Sequence, residues 1–262
     1  MTDLITVVYV GLAFTLAVIG GALGVSLGRS HRRLCVLISL GAGTLLGVTV
    51  FAILPESFAA MSWWLLLIAL SSGYLVFALI TRYVYHVCPA CAASHFDEAT
   101  THRFSEIAGA LMIALAVHCT ADGVAIAAGH EAELTHAPGS RMLALSLVVA
   151  ICVHKVPEGL ALASLLVGAG LRSPGVLLRV AAVQATTLLG GVAGLLFLRH
   201  LAPIWLAAVV AHAGGGFLFL ALHAVFGEIF KHHKALVLAN FAIGFGGIAI
   251  LTVLLRFFGG AS

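Results

Sequence analysis

Two short stretches of the chain hold the groups that could do chemistry. They are Val117-His118-Cys119-Thr120-Ala121-Asp122-Gly123-Val124-Ala125 and Val153-His154-Lys155-Val156-Pro157-Glu158-Gly159-Leu160-Ala161. Both follow the pattern V-H-x-x-x-[DE]-G-x-A, offset by 36 residues. Residues four apart share one face of a helix, so each motif projects an imidazole and a carboxylate one turn apart. Two imidazole nitrogens and two carboxylates form a four-ligand set suited to Zn²⁺ and acceptable to Fe²⁺, Mn²⁺ or Cd²⁺. The surrounding sequence is apolar, and a charge at the centre of a membrane span costs roughly 2.5 to 3.5 kcal/mol on insertion scales. Asp122, Lys155 and Glu158 together imply about 8 to 10 kcal/mol of unfavourable insertion unless they are paired or liganded. Neutralisation of a carboxylate by Lys155 would relieve part of that cost. It explains neither the duplicated motif nor why a histidine precedes each carboxylate.

Composition dictates the elements that must carry these motifs. Of 262 residues, 62% are hydrophobic and 9% charged, against about 25% charged in a soluble chain. An ordinary soluble protein is excluded. A net charge of +3 without long like-charged runs gives no footing for a nucleic-acid partner. Eight apolar segments are long enough to cross a bilayer as helices: 4–27, 34–54, 62–82, 106–129, 142–170, 175–198, 203–227 and 235–258. Strand barrels need alternating segments of about ten residues, which these continuous runs are not. The expected fold is an all-α membrane protein of eight transmembrane helices, with the metal site between spans four and five. Residues 1–262 form a single polytopic domain, and 85–105 form its longest polar loop. The five cysteines are an odd number spread over apolar segments and one loop, which makes no disulfide framework. The N-terminal stretch lacks a basic leader and a cleavage site, so it reads as a retained span.

The basic residues orient the bundle. Loops after spans one, three, five and seven share one side, and that side holds Arg29, Arg32, Arg33, Arg82, Arg103, Arg172, Arg179, Lys231 and Lys234. The other side holds Arg141, Arg199 and Arg256. The richer side is expected to face the cytoplasm, which makes 85–105 a cytoplasmic loop and leaves both termini on the non-cytoplasmic side. Short loops suit a bacterial inner (plasma) membrane. Glycines Gly20, Gly24 and Gly28, and likewise Gly43 and Gly47, recur at helix-packing spacing. Packing inside the bundle is the expected use, with a homodimer seam along span one as the alternative.

A second, weaker symmetry accompanies the duplicated motif. Aligned without gaps, Gly41 to Glu56 of the second span match Ala213 to Glu228 of the seventh at Gly43/Gly215, Leu46/Leu218, Ala52/Ala224 and Glu56/Glu228. Together the two symmetries predict an inverted repeat that pairs spans one to three with six to eight and span four with five. Such repeats place transport sites at the midplane. Pro157 lacks an N–H, so the Val153 carbonyl loses its helical donor and the fifth helix is expected to bend there.

On these residues the chain resembles the ZIP family of divalent-metal transporters. The resemblance rests on His118-Cys-Thr-Ala-Asp122-Gly123, on His154-Lys155-Val-Pro157-Glu158-Gly159, and on Gly41-Ala-Gly-Thr-Leu-Leu through Leu54-Pro55-Glu56. It implies transport of Zn²⁺ as substrate rather than a resident cofactor, with His118, Asp122, His154 and Glu158 as its ligands, and no enzymatic activity. Family members with a two-metal site carry Asn after the first His, a ligand after the second, and Glu in the sixth span. Here those places hold Cys119, Lys155 and Gln184. The resemblance is to the branch with lysine in the second motif. An ammonium would fill the second cation's place, which leaves one transported-ion site. Thr44 stands where other members carry a ligand-like side chain and is a pore-lining candidate.

Further candidates stand on spacing alone. Cys88-Pro89-Ala90-Cys91, with His86, His95 and His102 nearby, could capture metal in the loop. His212 and His223 are eleven apart, so they share a helix face and could line a path. His232 and His233, beside Lys231 and Lys234, read as a solvated interfacial cluster. Two other functions compete with transport. An intramembrane metalloenzyme would need a free acid or base beside the metal, and the nearby carboxylates are already ligands. Haem held by His118 and His154 would have carboxylates and a lysine as odd companions.

Overall fold

The computed structural model describes residues 2–26, 31–83, 101–134, 140–199, 201–229 and 234–259. The elements are α1 (Thr2–Ser26), α2 (His31–Val48), a π-helical turn (Thr49–Ile53), α3 (Leu54–Ala60), α4 (Trp63–Tyr83), α5 (Thr101–Leu134), α6 (Ser140–Gly168), α7 (Ser173–Phe197), α8 (Pro203–Ile229) and α9 (Lys234–Gly259). Among the described residues there is no strand, and eight stretches are long and apolar enough to span a membrane. They coincide with the eight predicted spans. The second is built from α2, the π turn and α3 together.

Local chemistry explains the breaks. Pro55, in the first turn of α3, has no N–H to return to Phe51, and its ring would crowd that carbonyl. The turn before it widens, and the Leu54 N–H bonds five residues back to the Thr49 carbonyl. Sequence patterning did not show this π turn. At the end of α6, Gly170 adopts φ +83°. Its N–H bonds to the Val167 carbonyl at 3.0 Å, and the Leu171 N–H reaches back to Leu166 at 3.2 Å. That closing motif needs a left-handed residue, which glycine supplies without steric cost. The next helix starts at once on Ser173-Pro174, with proline where its missing N–H is harmless. Helix α5 begins at Thr101, so residues 101–105, read from sequence as loop, continue the helix. Once nucleated, a helix extends cheaply through polar residues.

Helix α6 is the most buried span, and α4 and α9 are among the least. Leu4, Leu12, Trp63, Leu178, Phe197, Trp205 and Phe257 lie exposed, an apolar girdle that only lipid would cover. The most extensive packing is of α1 on α6, α7 on α5, α2 on α9 and α8 on α4. Exchanging α1 with α7, α2–α3 with α8, α4 with α9 and α5 with α6 turns each pair into another. That is the pairing an inverted repeat would produce.

The glycines make the correspondence residue by residue. Gly20 lies on the Val156 backbone and Gly190 on that of Thr120, the residue 36 positions earlier. Gly24 lies over Leu160 and Ala163, and Gly194 over Val124 and Ala127. Gly159 meets the Ala17 carbonyl, and Gly123 the Thr187 carbonyl. A side chain at any of these positions would overlap its neighbour, so glycine lets the ligand-bearing helices approach at backbone contact. Gly20 and Gly24 are therefore filled by α6, as packing inside the bundle requires. The sequence itself carries the repeat, as Gly-Gly-x-x-Gly at 20–24 and again at 190–194.

Candidate metal centre

The motif halves sit where α5 and α6 cross at the middle of the bundle. Four atoms converge there: His118 Nε2, Asp122 Oδ2, His154 Nε2 and Glu158 Oε2. His154 lies 3.3 Å from Asp122 and 3.5 Å from Glu158, and His118 lies 3.5 Å from Asp122 and 3.6 Å from Glu158. Donor atoms of this group all lie within 4.8 Å of one another. A tetrahedral ion with bonds of about 2.05 Å separates its ligand atoms by about 3.3 Å. The four nitrogen–oxygen edges therefore already have nearly the size such an ion requires. All four residues are buried, Asp122 completely.

Hydrogen bonding prepares the nitrogens and leaves some oxygens idle. His154 Nδ1 lies 3.1 Å from the Ala150 carbonyl, which only accepts, so Nδ1 carries the proton and the Nε2 lone pair points inward. His154 Nε2, His118 Nδ1 and Asp122 Oδ1 are buried without a hydrogen-bond partner. A buried polar atom left unpaired costs about 1 to 3 kcal/mol. A lone pair and a carboxylate in that state fit a cation as their partner. Phe77 and Phe217 border the imidazoles edge-on, at ring-centroid distances of 5.5 Å from His118 and 6.3 Å from His154.

Lys155 closes one side of the cluster. Its fully buried Nζ lies 2.8 Å from Asp122 Oδ2 and 3.0 Å from Glu158 Oε2. It also donates to Cys119 Sγ at 3.2 Å. Gln184, reaching in from α7, donates its Nε2 proton to Glu158 Oε1 at 2.8 Å. The three residues read from sequence as departures from a two-metal pattern thus meet around one carboxylate. With both carboxylates and the ammonium ionised, the cluster carries a charge of −1.

The stretch of sequence that supplies these residues matches a known family. The family model described as ZIP Zinc transporter matches residues 85–255, well over half the chain. The chain belongs to the ZIP family. Its members transport metal ions and are not enzymes, so the metalloenzyme and haem readings fall away. This ZIP protein is a multi-pass membrane protein whose substrates are divalent metal ions and whose surroundings are lipid. Comparison with curated proteins gives no match.

The remaining sequence candidates scatter. His212 of the ZIP protein lines a cavity of about 380 Å³ between α4, α5 and α8, which Asp122 and Phe217 also line. Its Nδ1 lies 2.8 Å from Ser72 Oγ. His223 is half-buried and stacks on Phe219 at 5.3 Å, away from that cavity's lining. Thr44 is buried in α2, but its hydroxyl donates to the Gly41 carbonyl at 2.8 Å within its own helix. Gly41, one turn earlier, is the residue that packs directly on His154 and Pro157. Cys88, Cys91, His86, His95, His232 and His233 lie outside the described residues. Sequence reasoning passed over His130, eight residues beyond Asp122 on α5. It is buried, with Nδ1 3.4 Å from Glu133 Oε2, and the i, i+3 spacing would have suggested that contact.

Proposed function

We propose that this ZIP family member carries divalent metal ions, Zn²⁺ foremost and Fe²⁺, Mn²⁺ or Cd²⁺ less readily, into the cytoplasm through one midplane site. His118, Asp122, His154 and Glu158 are its ligands. The observation that supports this reading is the near-tetrahedral spacing of four buried donor atoms, two nitrogen and two oxygen, contributed by two symmetric motifs. Lys155 takes the place of a second cation and limits the site to one ion, whose binding brings the cluster from −1 to +1.

Residues 1–262 act as one transmembrane domain in a bacterial inner (plasma) membrane, with both termini on the non-cytoplasmic side and residues 85–105 in the cytoplasm. An inverted repeat lets one helix group rock against the other and expose the site alternately, with the bend at Pro157 and the cavity beside His212 on the ion's path. His223, and Thr44 one turn from Gly41, extend that path. Cys88, Cys91, His86 and His95 capture metal in the loop. A homodimer would use surface other than the glycine stripe that α6 fills.

Metal flux tests the core of this proposal. Sealed vesicles containing the protein should take up Zn²⁺ most readily from a panel of divalent ions, and a His154→Ala protein that still inserts should lose that uptake. Equal uptake by the variant would remove the cluster from the transport path.

A further inference from the structure

We infer that Gln184 and Cys119, with Lys155, pin Glu158 to coordination through one oxygen, and that this favours a four-coordinate ion such as Zn²⁺ over Mn²⁺, which takes more oxygens. The inference rests on the reading of the cluster as the transport site.

The two oxygens of Glu158 have different surroundings. Oε1 accepts from Gln184 Nε2 at 2.8 Å, from the Cys119 thiol at 3.0 Å and from Lys155 Nζ at 3.1 Å. A carboxylate oxygen has about two lone pairs, so three donors compete for those of Oε1, and each of them lowers what that oxygen can offer an ion. Oε2 instead faces both imidazoles at 3.5 and 3.6 Å, with Lys155 at 3.0 Å. The thiol has a second acceptor within reach, Gln184 Oε1 at 3.4 Å, but the carboxylate is the nearer. Asp122 shows the contrast, since its Oδ1 has no hydrogen-bond partner. If the polar contacts served only to neutralise buried charge, they would have no reason to crowd one oxygen of Glu158 and leave the other turned to the histidines.

Denticity then bears on the choice of ion. Zn²⁺ is satisfied by four nitrogen and oxygen ligands at tetrahedral corners. Mn²⁺ favours oxygen-rich, octahedral surroundings. Holding Oε1 away withholds a fifth donor. Gln184 and Cys119 act through Glu158 and are positioning residues.

The test is competitive binding of Zn²⁺ and Mn²⁺ to the full chain in detergent, with X-ray absorption on the Mn²⁺-loaded protein. Gln184→Leu should weaken Zn²⁺ binding about 10- to 100-fold, the range for lost outer-shell partners. Mn²⁺ binding should fall less, so that the Zn²⁺-to-Mn²⁺ affinity ratio drops and the Mn²⁺ shell gains an oxygen. Cys119→Ala should move the ratio the same way, and Cys119→Ser, which keeps a donor, should restore it. If Gln184→Leu does not fold, the two Cys119 variants, which alter a single atom, carry the test alone. Parallel loss of both affinities, an unchanged ratio, or an unchanged Mn²⁺ shell would overturn the inference. Failure of the underlying site reading would show separately, as undiminished Zn²⁺ binding in His154→Ala.

Discussion

A ligand set of two imidazoles and two carboxylates binds metal only when deprotonated, so protons and metal compete for the same atoms. A free imidazole titrates near pH 6.5, passing from about 10% to about 90% protonated between pH 7.5 and 5.5. Zn²⁺ affinity should therefore be higher at pH 7.5 and fall about tenfold or more by pH 5.5. Titration of the purified protein at the two values checks this, and equal affinities would exclude these ligands. Lys155 makes a second prediction at the same scale. Its ammonium lies within 3.0 Å of both carboxylates, where it would repel another dication. The wild-type protein should hold one midplane ion even in excess metal, and Lys155→Asp should admit a second. Two ions in the wild-type site would show that the lysine does not stand in for a cation.

At the scale of elements, glycine contacts set how closely the ligand helices approach. Gly123 of α5 and Gly159 of α6 sit on carbonyls of α7 and α1. A methyl at either site has no room, and forcing extra volume into a packed interface costs about 1 to 3 kcal/mol. Gly123→Ala and Gly159→Ala should each lower the thermal unfolding temperature in detergent and weaken Zn²⁺ binding, because both shift a ligand-bearing turn. Gly11→Ala is the control: nothing lies within 4 Å of its added methyl, and alanine favours helix. An equal loss in Gly11→Ala would mean that the effect comes from the lipid-exposed helices in general rather than from these contacts.

The whole molecule must choose an orientation. Nine Lys and Arg toward one side of the bundle against three toward the other predict that both termini lie outside the cytoplasm. The exposed Trp63 and Trp64 at the start of α4, and Trp205 at the start of α8, lie toward the side opposite the basic residues, where they suit a membrane interface without deciding which face it is. A C-terminal fusion should be active with a reporter that folds only outside the cytoplasm and silent with one that fluoresces only inside. The reverse pattern would invert the proposed direction of transport.

Spans and motifs were legible in the chain because each depends on short-range chemistry. Twenty apolar residues commit a segment to the bilayer whatever its neighbours do, and four-residue spacing puts His118 beside Asp122 and His154 beside Glu158 on any helix. Even the pairing of distant helices left its mark, as glycines repeated at 20–24 and 190–194. Only the tertiary structure decided what depends on angle and depth between helices. It brought the two motif halves to edges of 3.3 to 3.6 Å. It turned Gln184 and Cys119 onto a single oxygen of Glu158, and it kept Thr44 bonded to its own helix. Helical periodicity gives the face on which a side chain stands. Which atom of that side chain meets which partner depends on the crossing of helices distant in sequence, whose approach is settled by the sum of many packing contacts.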